Sequence, residues 1–486
     1  MTLKPRLSAK QAAANMAEIE PKYREQEALV ESERCLYCFD APCIMACPTG
    51  IDIPGFIKKI ASGNLTGSAR TILQANPLGA SCARVCPTSA LCEGACVMLD
   101  RDQKPIKIGR LQRYATDHVF DNGIQVLQPP KVKTGKKVAV IGGGPAGLGC
   151  AAELAQLGHA VTIFEKRKQA GGLNTYGIAY YKLRPETSLA EVDLVKGLGV
   201  KIRTGVEVGR KITVKQLEQE FDAIFVGVGL GRTYRLGIPG EDLPEVLEAL
   251  DFIEQFHVNP LHKVGVGRKV AVIGCGNTAI DAVTQAKRLG ATQSIIIYRR
   301  GEGDMPAYPY EYEIAKKDAC EFMFHTVPVE VLAEKGHVKA LKLARTRVNE
   351  KGRVEVVKGS EFIEPFDMVI KALGQEPQQA LLKKLFPKLK VAGDGTVVRD
   401  GMTGQTSLKH VFAGGDCANG GREVVNAVAE GKKAARGIHK FLAGQAVTGP
   451  VQATRQGVPE GRPVGSGFDR PVRVPELEAE YYGKKS

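Results

Sequence analysis

Tryptophan is absent from this 486-residue chain, and aromatic residues make up only 6% of it. So few aromatic rings argue against a surface that stacks nucleic-acid bases, and we expect no nucleic-acid partner. No run of about 18 apolar residues occurs, so neither a transmembrane helix nor a membrane partner is expected. The N-terminus also lacks the apolar segment of a signal peptide, which predicts a cytoplasmic protein.

Positive charge is in excess, with a formal net charge of +14. The basic residues are spread along the chain, apart from short clusters such as Lys131–Lys137. This distribution indicates a solvated surface with sites for dinucleotide phosphates, and it would also suit docking to an acidic partner.

Cysteine is plentiful and concentrated in two short runs. Eight of the twelve cysteines occur there: Cys35, Cys38, Cys43 and Cys47 in the first run, and Cys82, Cys86, Cys92 and Cys96 in the second. Thiolates at these spacings, with Cys-Pro pairs, are typical of ferredoxin-like 4Fe–4S binding, in which the last cysteine of a run often serves the other cluster. Two structural zinc sites, or disulfides in an oxidising compartment, are the alternatives.

A dinucleotide-binding pattern begins after the cysteines. An apolar strand at Val138–Ile141 precedes a loop containing Gly142, Gly144 and Gly147, and a helix follows. The next strand, Ala160–Phe164, is followed by Glu165, about 20 residues on, where an acid can accept the ribose hydroxyl. The alternative is a plain strand–helix turn.

The same pattern recurs after Lys269–Ile273, with Gly274, Gly276 and Ala279 in the loop. Here the following strand ends in Arg299 and Arg300 instead of an acid. Guanidinium groups can bind a 2′-phosphate that an acid would repel, so the second site is predicted to prefer NADPH to NADH. Solvated basic residues at a strand end are the alternative.

The second unit is predicted to be inserted into the first. Phe221–Gly231 before it and Met368–Gly374 after it look like strands that end in glycines where the two halves meet. Val411–Asp416 then reads as a strand ending in an acid that suits a flavin, unless Asp416 is an ordinary strand-end aspartate, and a helix is expected from about 424 to 442. The expected domains are a helical two-cluster domain at 1–130, an FAD domain at 131–264 and 371–444, an inserted NAD(P)H domain at 265–370, and an extended tail at 445–486.

The cysteine segments resemble the N-terminal part of dihydropyrimidine dehydrogenase. The matching blocks run from Cys35 to Thr49, from Asn76 to Thr88 and from Pro105 to Gln112. The resemblance is closer to the separate electron-input subunit of the bacterial NAD(P)-dependent enzyme, and the small subunit of glutamate synthase is a more distant relative. The resemblance extends from about residue 30 to residue 442.

This resemblance implies ligands for two 4Fe–4S clusters. One cluster would be held by Cys35, Cys38, Cys43 and Cys96, and the other by Cys47, Cys86, Cys92 and the side chain of Gln112. Cys82 would then be unligated. A glutamine ligand favours the pyrimidine branch, because glutamate synthase small subunits tend to carry an acid there.

The resemblance also implies dinucleotide contacts. The flavin residues would be Gly142, Gly144, Pro145, Ala146, Gly147, Glu165, Lys166, Gly172, Leu173, Lys182, Val206, Gly415, Asp416 and Val425. The NADPH residues, with NADH as an alternative nucleotide, would be Gly276, Asn277, Thr278, Arg299 and Arg300, and Ala372, Leu373 and Gly374 lie where the halves meet.

The expected fold is therefore a helical iron–sulfur domain followed by an α/β flavoprotein with two dinucleotide-binding domains. The expected function is to pass electrons from NAD(P)H through FAD and two clusters to an FMN-containing partner that reduces uracil or thymine. No catalytic acid or base is required. A glutamate synthase small subunit or similar reductase subunit is one alternative, and a non-catalytic redox sensor or scaffold is another.

Overall fold

The computed structural model describes residues 3–447, so most of the expected tail at 445–486 lies outside the described residues. The chain begins with a helical domain. Its helices are α1 (Ala9–Asn15), α2 (Glu25–Glu33), α3 (Pro42–Met45), α4 (Ile53–Ala61), α5 (Leu65–Ala75), α6 (Gly79–Val85) and α7 (Ile108–Asp121).

Side-chain caps and an apolar face position the helices of this domain. Asp52 and Asn64 cap α4 and α5 by accepting hydrogen bonds from backbone N–H groups of the first turn. The inward faces contribute buried Ile57, Leu73 and Leu111 to one core. Most of the eight clustered cysteines lie on the short segments between these helices, whereas Cys43 lies in α3 and Cys82 in α6, so the folded helices fix their positions.

The first dinucleotide-binding sheet is parallel and has the order β14-β4-β1-β2-β3. Its first elements are β1 (Lys137–Ile141), α8 (Pro145–Gln156), β2 (Ala160–Phe164), α9 (Leu173–Tyr176), α10 (Pro185–Gly197), β3 (Lys201–Arg203), α11 (Val214–Glu220) and β4 (Ala223–Val226). It is completed by α15 (Gln379–Leu385), β14 (Val411–Ala413), α16 (Asp416–Asn419) and α17 (Val424–Leu442). Two chain segments more than 130 residues apart therefore build one sheet.

The inserted unit contains a second five-stranded sheet of order β5-β13-β6-β7-β8 and a smaller antiparallel sheet. Its elements are β5 (Val246–Glu248), α12 (Ala249–Val258), β6 (Lys269–Ile273), α13 (Asn277–Arg288), β7 (Gln293–Ile297), α14 (Pro309–Lys317), β8 (Glu321–Met323), β9 (Thr326–Glu334), β10 (His337–Val348), β11 (Val354–Val356), β12 (Phe362–Pro365) and β13 (Met368–Lys371).

The bounds expected for this unit, 265–370, are too narrow. β5 precedes them, and β13 pairs along its whole length with β5 on one side and β6 on the other. The four residues of β13 are buried, as a central strand requires. The chain instead crosses between units at 231–233 and 374–376, where the Gly231 N–H donates to the Glu376 carbonyl at 2.7 Å.

A buried carboxyl joins the helical domain to the first sheet. Glu191 on α10 is fully buried and accepts hydrogen bonds from the backbone N–H and the hydroxyl of Ser81 on α6. Burial raises the pKa of Glu191 to about 7, although these hydrogen bonds and the charge of Arg84 oppose the rise. The ionised carboxylate is therefore the unfavourable form at this joint.

The stability of the protein should accordingly fall as the pH rises. The native state holds the Glu191 proton more tightly than the unfolded chain does. This proton stabilises the protein fully below about pH 4.5, and the stabilisation falls by roughly 1.4 kcal/mol per pH unit from there to about pH 7. Glu191→Gln should be more stable than the parent at pH 8 and similar to it at low pH, as measured by urea unfolding. Asp193→Asn, on the exposed face of α10, is the control, and parallel pH profiles for Glu191→Gln and the parent would contradict the assignment.

Candidate functional site

Two cavities in the helical domain are lined by the cysteines. The first is lined by Cys35, Cys38, Cys43 and Cys96. The rest of its wall is largely apolar and includes Pro42, Ile53, Ile57, Met98, Ile106 and Ile108. Folding thus brings the last thiol of the second run to the first three of the first run.

The second cavity is lined by Cys47, Cys86, Cys92 and Gln112, together with Cys82. The Gln112 Nε2 group donates to the Gly79 carbonyl at 2.7 Å. The amide oxygen of Gln112 is therefore the atom available as a ligand.

The chemistry of these donors suits iron–sulfur clusters. Burial raises the pKa of the Cys43 thiol to about 12, and it also raises the pKa of Cys35 and Cys92. Thiolates here need a positive centre to stabilise them, which the iron of a cluster supplies. All twelve cysteines are free thiols, which gives the disulfide alternative no support.

The arrangement of the thiols also differs from a zinc site. Within residues 3–447, no three Cys, His, Asp or Glu side chains are gathered closely enough to hold a single ion. The thiols surround cavities instead, as a multi-atom centre requires.

We call the first sheet (β1–β4 and β14) and its helices α8–α11 and α15–α17 the flavin half. The second cavity adjoins the flavin half, and the first does not. Val425, in the first turn of α17, lines the second cavity, whereas the wall of the first consists of residues from the helical domain. Ile53 lines both cavities and lies between them. The order from the flavin half outward is therefore second cavity, Ile53, first cavity.

The loop between β1 and α8 has the construction expected of a pyrophosphate site. Gly142 has a φ of +101°, and α8 begins directly afterwards with Pro145 and Ala146. A Cβ at Gly147 would lie 2.0 Å from the Gly142 carbonyl oxygen, so only glycine lets the helix approach the loop this closely. The N-terminus of α8 is thereby presented at the strand end, where it favours an anion.

Glu165 lies at the end of β2 and belongs to the same edge. Its carboxylate accepts hydrogen bonds from the backbone N–H groups of Gly143 and Arg167, both at 2.8 Å. A carboxylate has further lone pairs, so it can still accept from a ribose hydroxyl. The Val206 N–H donates to the Glu165 carbonyl at 2.9 Å, which places Val206 beside this position, and Lys166 next to it is exposed.

Gly172 and Gly415 approach the same loop from two other segments. A Cβ at Gly172, which precedes Leu173, would lie 2.8 Å from the Gly144 Cα atom, and one at Gly415 would lie 2.7 Å from the Ala146 side chain. Asp416 follows Gly415 at the start of α16, and burial raises the pKa of its carboxyl. The structure thus brings most of the predicted flavin residues to one edge of the sheet.

The second glycine loop has the same construction. Gly276 precedes α13, whose first residues are Asn277 and Thr278. The Asn277 side-chain oxygen accepts from the Tyr308 N–H at 3.0 Å. A Cβ at Gly274 would lie 2.3 Å from the Ala372 carbonyl oxygen, so Ala372 and the adjoining Leu373 and Gly374 lie at this loop.

Arg299 and Arg300 follow β7, at the same edge of the inserted sheet as the second glycine loop. Arg299 is exposed, and its backbone carbonyl accepts a hydrogen bond from the Thr346 hydroxyl at 2.8 Å. The Arg300 guanidinium donates to the Gly352 carbonyl at 3.3 Å. Both side chains are near the strand end where a 2′-phosphate would be expected.

Lys182 lies in an ion-pair cluster, which the sequence did not predict. Its Nζ atom is 2.5 Å from both Asp281 Oδ1 on α13 and Glu311 Oε2 on α14. The three side chains are buried. The residue therefore joins the flavin half to the inserted unit.

Several neighbours of the sites were also missed. Asn76 lines the second cavity, and the Tyr308 hydroxyl donates to Glu423 at 2.8 Å. Asp281 offered a signal, because an acid within the apolar helical run from 279 to 283 requires a partner. The other contacts join distant segments and leave no local pattern.

Two family models cover most of the chain. Residues 12–124 match the model described as dihydropyrimidine dehydrogenase domain II, 4Fe-4S cluster. Residues 136–431 match the model described as pyridine nucleotide-disulphide oxidoreductase. The boundary between the two matches lies in the segment that connects α7 to β1.

Curated relatives match over nearly the whole chain. The glutamate synthase [NADPH] small chains of Halomonas elongata and Escherichia coli K12 are 36% and 35% identical, covering 89% and 90% of this chain and 95% and 96% of the relatives. The NADP(+)-dependent formate dehydrogenase subunit beta of Moorella thermoacetica is 35% identical and covers 85% of this chain and 61% of that protein. These names support the glutamate synthase alternative better than the pyrimidine-specific expectation.

A solved structure shares the fold. Mycobacterium tuberculosis FprA in complex with NADPH aligns with a TM-score of 0.52 at 20% identity, covering 64% of this chain and 85% of that one. The predicted fold class is confirmed, as are the cofactors FAD, 4Fe–4S clusters and NADP(H). Within residues 3–447, no helix has the length and apolar character needed to span a membrane. The chain belongs to the pyridine nucleotide-disulphide oxidoreductase family and carries a 4Fe–4S domain of the dihydropyrimidine dehydrogenase type ahead of the reductase fold.

Proposed function

We propose that this oxidoreductase is the NADPH-oxidising electron-input subunit of a hetero-oligomeric enzyme. The observation that carries the proposal is the contact between α17 and the second thiol cavity through Val425. Bound NADPH and FAD supply two-electron chemistry, and 4Fe–4S clusters supply one-electron transfer. The protein's part is to bind these groups, orient them and exclude water.

The predicted residues divide this work between the two sheets. The N-terminus of α8 and Glu165 would bind the pyrophosphate and ribose of FAD, and Asp416 with α17 would bind its ribityl and ring portion. The N-terminus of α13, with Arg299 and Arg300, would bind NADPH. The two ligand sets implied by the resemblance match the two cavity linings, with Cys82 as the additional thiol.

Cofactor preference tests the proposed nucleotide site. Replacing Arg299 and Arg300 together with glutamine should raise KM for NADPH about tenfold and leave KM for NADH nearly unchanged, because only NADPH carries the 2′-phosphate. Steady-state dye reduction with each nucleotide measures this. Arg353→Gln, on the nearby turn between β10 and β11, is the control. Equal changes for both nucleotides would place the phosphate elsewhere.

Electrons are proposed to leave at the first cavity. Leu36 lines this cavity and is 46% exposed, and the same cysteine run contains Phe39 and, at the end of α3, Met45, which are 78% and 49% exposed. Apolar side chains exposed together mark a contact surface. We propose that the electron-accepting partner subunit binds this surface, because its own redox centre must approach the first cluster.

Phe39→Ser should therefore weaken transfer to the partner without affecting the input side. We expect at least a tenfold rise in the partner concentration needed for half-maximal activity, because a buried aromatic anchor contributes about 2 kcal/mol or more at an interface. NADPH–ferricyanide activity of the isolated chain should stay the same. Val398→Ser, an exposed apolar residue of the flavin half, is the matched control, and an unchanged titration of the Phe39 variant would remove this surface from the proposal.

The relatives favour a glutamate synthase type of partner. A different observation favours a pyrimidine-reducing, FMN-containing partner: Gln112 lines the second cavity where an acid would be expected for glutamate synthase. Mixing the anaerobically purified chain with each type of partner separates them, through glutamate formation or through uracil and thymine reduction. A chain that reduces ferricyanide with neither NADPH nor NADH would instead be a redox sensor or scaffold.

A further inference from the structure

We propose that Cys82 adjusts the second iron–sulfur centre by donating an S–H hydrogen bond to the sulfur of Cys86. The inference rests on the proposed function, since it takes Cys86 as a cluster ligand. Cys82 is 2% exposed on α6, one helical turn before Cys86, and lines the same cavity. The Cys86 backbone N–H donates to the Cys82 carbonyl at 3.1 Å at the end of α6, so the two side chains lie one helical turn apart and face the same cavity.

Asn76 sets the direction of this hydrogen bond. It is fully buried, and its side-chain oxygen accepts from the Leu78 N–H at 2.9 Å. Its amide nitrogen therefore faces Cys82 and donates to that sulfur at 3.1 Å. Because Cys82 already accepts from Asn76, its own proton is available for the neighbouring sulfur.

Ligation of iron settles which cysteine is the donor. A ligating Cys86 is a thiolate without a proton, so only Cys82 can donate between the two. Hydrogen bonds to cluster sulfurs stabilise the more negative, reduced state and raise the reduction potential. Asn76 and Cys82 would thus form a chain of two donors that ends on the sulfur of Cys86, the accepting ligand.

The test is an EPR-monitored redox titration of the full-length protein purified anaerobically, with iron analysis. Cys82→Ala should keep its iron and lower the ratio of reduced to oxidised second cluster about tenfold at a fixed potential, a shift of about 59 mV for one electron. Cys82→Ser keeps a donor and should move less. Asn76→Ala should shift the potential in the same direction, and Cys320→Ala, a buried thiol of the inserted unit, should not shift it.

Two results would overturn the proposal. An unmoved potential in both Cys82→Ala and Asn76→Ala with full iron content would show that the hydrogen bond is without effect. Loss of one EPR signal and its iron in Cys82→Ala, with both retained in Gln112→Ala, would make Cys82 itself a ligand. Should Cys82→Ala fail to fold, Cys82→Ser and Asn76→Ala still decide. Failure of the proposed function is distinct, because the parent protein would then lack iron–sulfur signals or NADPH–dye activity.

Discussion

Lys182→Met is expected to destabilise the protein by about 3–5 kcal/mol, because it leaves two buried carboxylates without their cation. The Nζ atom lies 2.5 Å from a carboxylate oxygen of Asp281 and of Glu311, and at most 10% of any of the three side chains is exposed. Urea unfolding of the flavin-loaded protein measures the change. The reduction of flavin by NADPH should slow as well, since this cluster joins the two nucleotide-binding units.

Matched variants separate this effect from the loss of an ordinary ion pair. Lys196→Met removes an exposed pair with Asp193 and should change stability by less than about 1 kcal/mol. Adding Asp281→Asn and Glu311→Gln to Lys182→Met should recover much of the loss, as coupled residues do. A triple variant no more stable than Lys182→Met would mean that packing of the lysine, and not its charge, matters.

Gly431→Ala is the second substitution with a large expected effect. A Cβ at Gly431 would lie 2.1 Å from the Ala146 carbonyl oxygen and 2.9 Å from the Cys150 nitrogen, so α17 contacts the backbone of α8 directly. Separating the helices should lower the free energy of unfolding by about 3 kcal/mol. It also displaces the start of α8, so the flavin-to-protein absorbance ratio should fall severalfold.

The control for this variant is Gly401→Ala. A Cβ at Gly401 meets no heavy atom within 4 Å, so its stability should stay within about 0.5 kcal/mol of the parent. Full flavin retention in Gly431→Ala would show that the two helices can separate without disturbing the site.

Elements with strong local patterns could be predicted closely. β2, β6 and α17 have the expected boundaries. Each segment contains its own pattern: an apolar strand run next to glycine for the two strands, and an apolar helical face for α17. The ferredoxin-like spacing predicts that Cys35, Cys38 and Cys43 share one cluster while Cys47 serves the other. Only the family resemblance assigns Cys96 to the first set and Gln112 to the second.

Features that depend on distant partners could not be predicted. The sequence of β13 identifies a strand but not the strands that it pairs with. The sequence therefore predicts bounds for the inserted unit that are too narrow. Lys182 carries no sign that its carboxylate partners lie about 100 and 130 residues further along. The Asn76–Cys82 contact depends likewise on how the loop before α6 folds back on that helix.

Lys432 on α17 has a mechanical consequence. Its ammonium group donates to the Gln74 and Ala75 carbonyls at 3.0 and 2.7 Å and pairs with Glu153 on α8. These contacts hold α17 against α5 and α8, so they would fix the distance over which electrons tunnel between a flavin beside α17 and a cluster in the second cavity. The inserted unit is joined to the rest of the protein through its two crossing segments, the Lys182 cluster and the Tyr308–Glu423 hydrogen bond. Raising the viscosity of the solvent with glycerol should therefore slow nucleotide exchange and leave the rate of electron tunnelling from the flavin to the cluster in the second cavity unchanged.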